Sequence, residues 1–160
     1  MRQAKVATLL LLAGIAGACA IGAPSTFVLN SASVDQSYVC PTAANNLPYN
    51  IHATISVRNG TTSSVTIESI AAVLMLAAVK GGWLEHVGDK YDASGVTVSP
   101  TAVDAGRTAS LDVTIPSACT NGKVPSSGSS YADYSVAFTV VTSAGTHTIL
   151  SSNRHRITAA

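Results

Sequence analysis

The chain has 160 residues, room for one ordinary domain and a short targeting segment but not for two adequate cores. Only 11% of the residues are charged against 47% hydrophobic, and Ser and Thr supply much of the polarity, a profile that suits strands with hydroxyl-bearing outer faces. Nine basic residues stand against eight acidic ones, and removing Arg2 and Lys5 with a leader leaves seven against eight, which excludes an electrostatic case for nucleic acid.

Residues 1–20, MRQAKVATLLLLAGIAGACA, join two basic residues to an apolar stretch and then to small residues, the three-part pattern of a secretory signal peptide. The apolar stretch is about a dozen residues, short of the roughly 20 that span a bilayer as a helix. Two cleavage readings stand side by side. Ala18-Cys19-Ala20 fits ordinary signal peptidase, whereas Ile15-Ala16-Gly17-Ala18-Cys19 resembles a bacterial lipobox and would make Cys19 the lipid-bearing N-terminus. The expected organisation is a leader over 1–20 and a single domain over 21–160. Either cleavage removes Cys19 from the thiol count and leaves Cys40 and Cys119 as the expected disulfide, closing a loop of about 80 residues that chain entropy values near 4 kcal/mol. Neither cysteine has a second Cys or His at ligand spacing.

Short strands are expected around residues 27–29 and 34–40. From Ile51 the apolar positions Ala53, Ile55 and Val57 alternate with Thr54, Ser56 and Arg58, a half-buried strand ended by the turn signal Asn59-Gly60. Residues 64–79 begin with alternation and then lose their polarity. A long strand buried on both faces is preferred there, although Ala71, Ala72, Leu74, Met75 and Leu76 have the propensity for a short helix. Residues 81–100, GGWLEHVGDKYDASGVTVSP, read as a loop or edge excursion with a short strand over 96–98. Residues 107–116 form the cleanest strand, with Ala109, Leu111, Val113 and Ile115 on one face and Pro116 closing it. A polar stretch over 117–130 reads as a long loop. Tyr134, Val136, Phe138 and Val140 then alternate with smaller or polar residues, and Ser143-Ala144-Gly145 turns the chain into a terminal hairpin. The sum is about seven strands in an all-β, two-sheet antiparallel sandwich.

Three runs, ISVRNGTTSSVTIESI, VSPTAVDAGRTASLDVTIP and YSVAFTVVTSAGTHTI, resemble immunoglobulin-like or fibronectin-III-like domains of bacterial exported surface proteins. The resemblance implies an immunoglobulin-like sandwich in which Asn59 ties down the turn after a central strand and Gly106 sits in the turn entering a strand that crosses the core. It further implies extracytoplasmic adhesion, scaffolding or carbohydrate binding. The chain departs from antibody-type domains, because Trp83 lies in a loop-like segment and Cys40 precedes the first central strand.

No catalytic residue is nominated: Glu68 and Glu85 stand beside no Asp in a paired-carboxylate arrangement, and no G-x-S-x-G elbow occurs. His52 and His155 read as outward strand residues, and His147 with Met75 has no local spacing that would make a copper site. Asp89, Asp92 and Ser94 offer oxygens without the spacing of a calcium loop. No metal or cofactor is expected. Asn59-Gly60-Thr61 matches a glycosylation acceptor but reads better as a hairpin turn. The weak binding candidates are Trp83, His86 and Tyr91, with covering an open end of the core as the competing use for Trp83. The expected function is a non-enzymatic extracytoplasmic binding or scaffolding domain, secreted, periplasmic or at the cell surface. Its partner would be a protein or saccharide, and it would touch the membrane only through an N-terminal lipid. The alternative is a structural subunit that associates with copies of itself by strand addition.

Overall fold

The computed structural model describes residues 26–121 and 130–160, so the signal peptide, the cleavage site and Cys19 lie outside the described residues. Alternation of apolar and hydroxyl-bearing side chains produces strands throughout: β1 (Phe27–Val34), β2 (Ser37–Cys40), β3 (Leu47–Asn59), β4 (Val65–Lys80), β5 (Lys90–Asp92), β6 (Thr97–Ser99), β7 (Ala102–Val103), β8 (Thr108–Cys119), β9 (Tyr131–Thr142), β10 (Gly145–Leu150) and β11 (His155–Ala159). They form two facing sheets. One runs β1-β3-β8-β6; the other runs β2-β11-β9-β4-β5, with β10 also on β9 and β7 on β4. The architecture is an all-β, immunoglobulin-like sandwich.

The segment count exceeds seven because the last expected strand is divided into β10 and β11 and the short β5, β6 and β7 add to the count. The first expected pair is one edge run whose β1 half pairs antiparallel with β3, while its β2 half crosses over to pair parallel with β11. The last strand is broken at Ser151, whose Oγ takes the Val136 amide and whose amide bonds the Val136 carbonyl, so that β10 and β11 lie end to end along β9. Asn153 then clamps β1, accepting from the Val34 amide at 2.9 Å and donating to the Val34 carbonyl at 2.7 Å.

Ile51, Ile55, Val57, Leu111, Val113 and Ile115 of one sheet are sealed against Ala72, Leu74, Leu76, Val136, Phe138 and Val140 of the other. Residues 70–79 are strand, as preferred, because the Ala-rich run gains a full ladder with β9 that outweighs its helix propensity. Only one face is fully buried, however; Val73 and Met75 on the other are half-buried. Pro116 does not close β8, which continues to Cys119. Its missing N–H is harmless because β6 pairs only residues 112–114, leaving Pro116 on an open edge. The polar stretch expected over 117–130 therefore begins as strand, and 122–129 lie outside the described residues.

Asn59 is fully buried and closes the turn after β3. Its amide nitrogen donates to the carbonyls of Ser63 and Val103, and its oxygen accepts from the amide and hydroxyl of Thr61. That occupancy removes the glycosylation reading. Gly106 holds φ at 69° in the turn entering β8, a conformation that favours glycine. The Cys40–Cys119 disulfide joins the ends of β2 and β8, and so the two sheets, with Cα atoms 6.0 Å apart.

Candidate binding cleft

At the disulfide end the sandwich fails to close. β5 and β6 are only three residues each, so beyond Thr114 the outer edge of β8 has no strand beside it among the described residues. An open cleft fills this gap. One lobe of about 470 Å³ is lined by Trp83, Leu84, Glu85, Cys119, Asn121 and Tyr134 among others. A second of about 380 Å³ reaches Tyr91, Asp92, Ser94 and Pro116. Both include Glu85, Ala118, Tyr134 and Ile157, so the two lobes adjoin at these residues.

The wall opposite β8 is the segment after β4. Gly81 reverses the chain at φ 78°, and a Cβ there would fall 2.3 Å from the Ser130 hydroxyl, so no other residue fits without displacing the start of β9. The segment then folds back on β4: Gly88 donates to the Leu76 carbonyl at 2.8 Å, and Leu76 to the Asp89 carbonyl at 2.9 Å. Asp89 caps the turn by accepting the His86 amide at 2.8 Å.

Within this frame Trp83 is half-buried and donates from Nε1 to the Tyr134 hydroxyl at 3.0 Å; Tyr134 in turn donates to Glu85 at 3.4 Å. Tyr91, inward-facing on β5, meets the Tyr134 ring with centroids 6.1 Å apart. Burial, reinforced by the Glu85 charge, pushes the Tyr134 hydroxyl up to about 12, and burial with Glu85 beside it raises Tyr91 as well. Both phenols are therefore neutral donors at physiological pH. Leu84 and Val87 stand 73% and 63% exposed at the rim, an apolar patch beside Trp83.

Of the three weak candidates, Trp83 and Tyr91 come together on Tyr134, while His86 points into solvent with its side chain 91% exposed, 3.9 Å from Asp89. Sequence reasoning missed Tyr134 and Glu85. Tyr134 carries the signal of an ordinary core position, and Glu85 that of a loop charge; only the fold-back at Gly81 brings them to one slot.

The histidines do not converge. His52 is exposed, as expected, but His155 is buried, a correction to its outward reading. His155 lies on the same inward face as Ile149 and Ile157, so the alternation carries through the break at Ser151, and the ring enters a pocket where Nδ1 donates to the Asp35 carbonyl at 2.9 Å and Nε2 receives the Tyr49 hydroxyl at 3.3 Å. Tyr49 stacks on Tyr38 at 3.9 Å and is pushed up to about 12 by burial. His147 faces inward against Phe27, on the opposite side of the larger sheet from Met75. No group of three His, Cys, Asp or Glu among the described residues is placed to hold a metal ion. Glu68 is exposed at a bulge in β4.

No family model matches the chain, and no curated protein matches it in sequence. Among solved structures it is similar to AggA, the major subunit of aggregative adherence fimbriae type I from Escherichia coli, at 10% identity over 84% of this chain and 95% of that one, with a TM-score of 0.38. It is also similar to a PapD-like domain of human CEP192, at 14% identity over 99% and 96% of the two chains, TM-score 0.26. The CooA pilin subunit from enterotoxigenic Escherichia coli is 14% identical over 82% of this chain and 98% of that one, TM-score 0.25. Likenesses this slight do not bear on function, which is argued below from the chain's own geometry.

Proposed function

We propose that this chain is a non-enzymatic extracytoplasmic domain that holds a partner in the cleft between Trp83 and the open edge of β8. The single observation that carries the reading is the slot itself: two lobes that adjoin at Tyr134 and Glu85, with exposed Leu84 in the lining, beside a core of Ile51, Val113 and Phe138. Contact residues in binding sites are typically aromatic side chains with an apolar body and a polar tip, which describes Trp83, Tyr91 and Tyr134. Location outside the cytoplasm is supported by the disulfide, since such bonds persist in oxidising compartments.

A photo-crosslinking residue at position 84, installed in the native host, tests this against the same residue at position 110 on the polar outer face of β8. The expected result is a discrete adduct from position 84 that disappears in Trp83→Ala. Equal labelling at both positions would sink the reading.

A second reading, a structural subunit that assembles with copies of itself, is favoured by one observation. The outer face of the larger sheet is apolar at its centre, with Ala71, Val73, Met75 and Ala137, and Leu150 is 57% exposed beside them. Sedimentation velocity distinguishes the two: a concentration-dependent species broken by Leu150→Lys and untouched by Trp83→Ala would favour self-assembly.

A further inference from the structure

We propose that the cleft takes an extended polypeptide carrying a basic side chain, the backbone of that segment adding as a strand to β8 at residues 115–119 and its cation seating on Glu85 among Trp83, Tyr91 and Tyr134. The proposal rests on the cleft being the working site and names what enters it.

Shape comes first. β8 lines the slot from Pro116, past Ser117 and Ala118, to Cys119, and Thr120 and Asn121 continue the wall beyond the strand, so the slot follows extended chain for about six residues, roughly 20 Å. A slot of that length along one strand fits an extended chain better than a compact small molecule. The edge is also open among the described residues, although Pro116 offers only its carbonyl there. β3 pairs β8 along its whole length on one side, but on the other β6 stops at Thr114, and the described residues supply no strand after it. An incoming strand would use the backbone groups left open there, which is the general mode of strand addition.

Charge then selects the side chain. Glu85 and Asp92 line the slot, and no Lys, Arg or His joins them among its lining residues. Glu85 is half-buried, and the hydroxyls of Tyr134, at 3.4 Å, and Tyr91 donate to its carboxylate, with no cation beside it among the lining residues. A ligand that covers it without a cation strips water from an unpaired charge, which is costly; a ligand bearing an anion adds repulsion. Three aromatic side chains surround the same carboxylate, and aromatic faces attract cations. A neutral saccharide would use the rings but leave both the β8 backbone and the carboxylate without their natural partners.

Trp83 is the only tryptophan of the chain, so its fluorescence reports on this site alone. The probe is the blocked peptide acetyl-Thr-Val-Lys-Val-Thr-amide, titrated against the full mature chain, with glutamine or glutamate at the centre as comparison peptides and chitotetraose as a neutral saccharide. The expected result is a saturable change with the lysine peptide, at least tenfold weaker with glutamine and absent with glutamate. Glu85→Gln should abolish the preference for lysine over glutamine while leaving the near-ultraviolet dichroism of the fold intact. Methylating alternate peptide amides on one edge should also weaken binding tenfold or more. Equal affinity for the lysine and glutamine peptides overturns the cation, and indifference to backbone methylation on either edge overturns the strand. A response to chitotetraose with none to the lysine peptide overturns this proposal yet leaves the cleft as a binding site, whereas silence towards every probe, with crosslinking at position 84 also absent, overturns both.

Discussion

Burial holds the His155 imidazole below its usual range of about 6.5, because the charged form would lose its water inside the seam between β2, β3 and β11. A neutral ring in the fold and an ordinary one in the unfolded chain fix the sign. The contribution is complete above the unfolded value of 6.5 and is lost progressively as the pH falls below it towards the lower folded value. Urea midpoints should therefore drop between pH 7.5 and pH 5, and His155→Gln should flatten that dependence while lowering stability throughout. Asp133 acts lower down. Arg156, bonded to it at 2.7 and 2.9 Å and stacked over Tyr131 at 3.9 Å, holds its carboxyl below 3.8, so its share is present above 3.8 and lost beneath it. Asn59 is the other residue with concentrated leverage, since Asn59→Ala takes the donor from the Ser63 carbonyl and the acceptor from Thr61, and leaves the Val103 carbonyl only the 3.4 Å contact from the Ser64 hydroxyl. A loss of about 3 kcal/mol is expected from chemical denaturation. The turn was legible in the sequence from Asn-Gly after an alternating run, and the tie-down by Asn59 from the resemblance to immunoglobulin-like domains. The inward face of His155 follows the same alternation as Ile149 and Ile157, and the outward reading rests on the polarity of the side chain instead.

At the level of elements, alternation located the long strands and misjudged their ends. β8 is the instructive case: Pro116 looks like a stop in one dimension, yet the ladder to β3 runs on through Ser117↔Tyr49 and Ala118↔Pro48 to Cys119↔Leu47. What decides is whether a neighbour needs the missing N–H, and neighbours are a property of the sheet. The open edge predicts an exchange pattern. Among residues 115–119, the amides that point away from β3 should exchange with solvent far faster than those of Ile55 and Val57, which lie in a strand paired on both sides. Uniformly slow exchange along β8 would show that another segment covers the edge. β2 poses the opposite question, since four residues pairing only with β11 form a weak element on their own. The disulfide at Cys40 and the Asn121 amide, which donates to the carbonyls of Cys40 and Ala160, hold it in place. Replacing both Cys40 and Cys119 by alanine should cost about 4 kcal/mol, and the amides of β2 should lose protection first.

Across the whole molecule, the sandwich and its disulfide could be read from strand number and cysteine arithmetic, whereas the cleft could not. Its residues come from β4, β8, β9 and the reversal at Gly81, and they meet only because the two short strands β5 and β6 leave the sheets unequal in reach. The arrangement also gives the domain a direction. Thr26, where the described chain enters, accepts the Gly60 amide at the Asn59 end, while the cleft lies at the Leu47 end of β3, about 40 Å away by strand rise. If the segment upstream of Thr26 is tethered and a partner is seated in the slot, tension runs lengthwise through the sandwich. Load of that kind meets β1 and β3 in shear, where their bonds must fail together, and does not peel them apart one at a time. The disulfide stands at the end where the partner would pull, so a tethered and occupied domain would carry that load across both sheets.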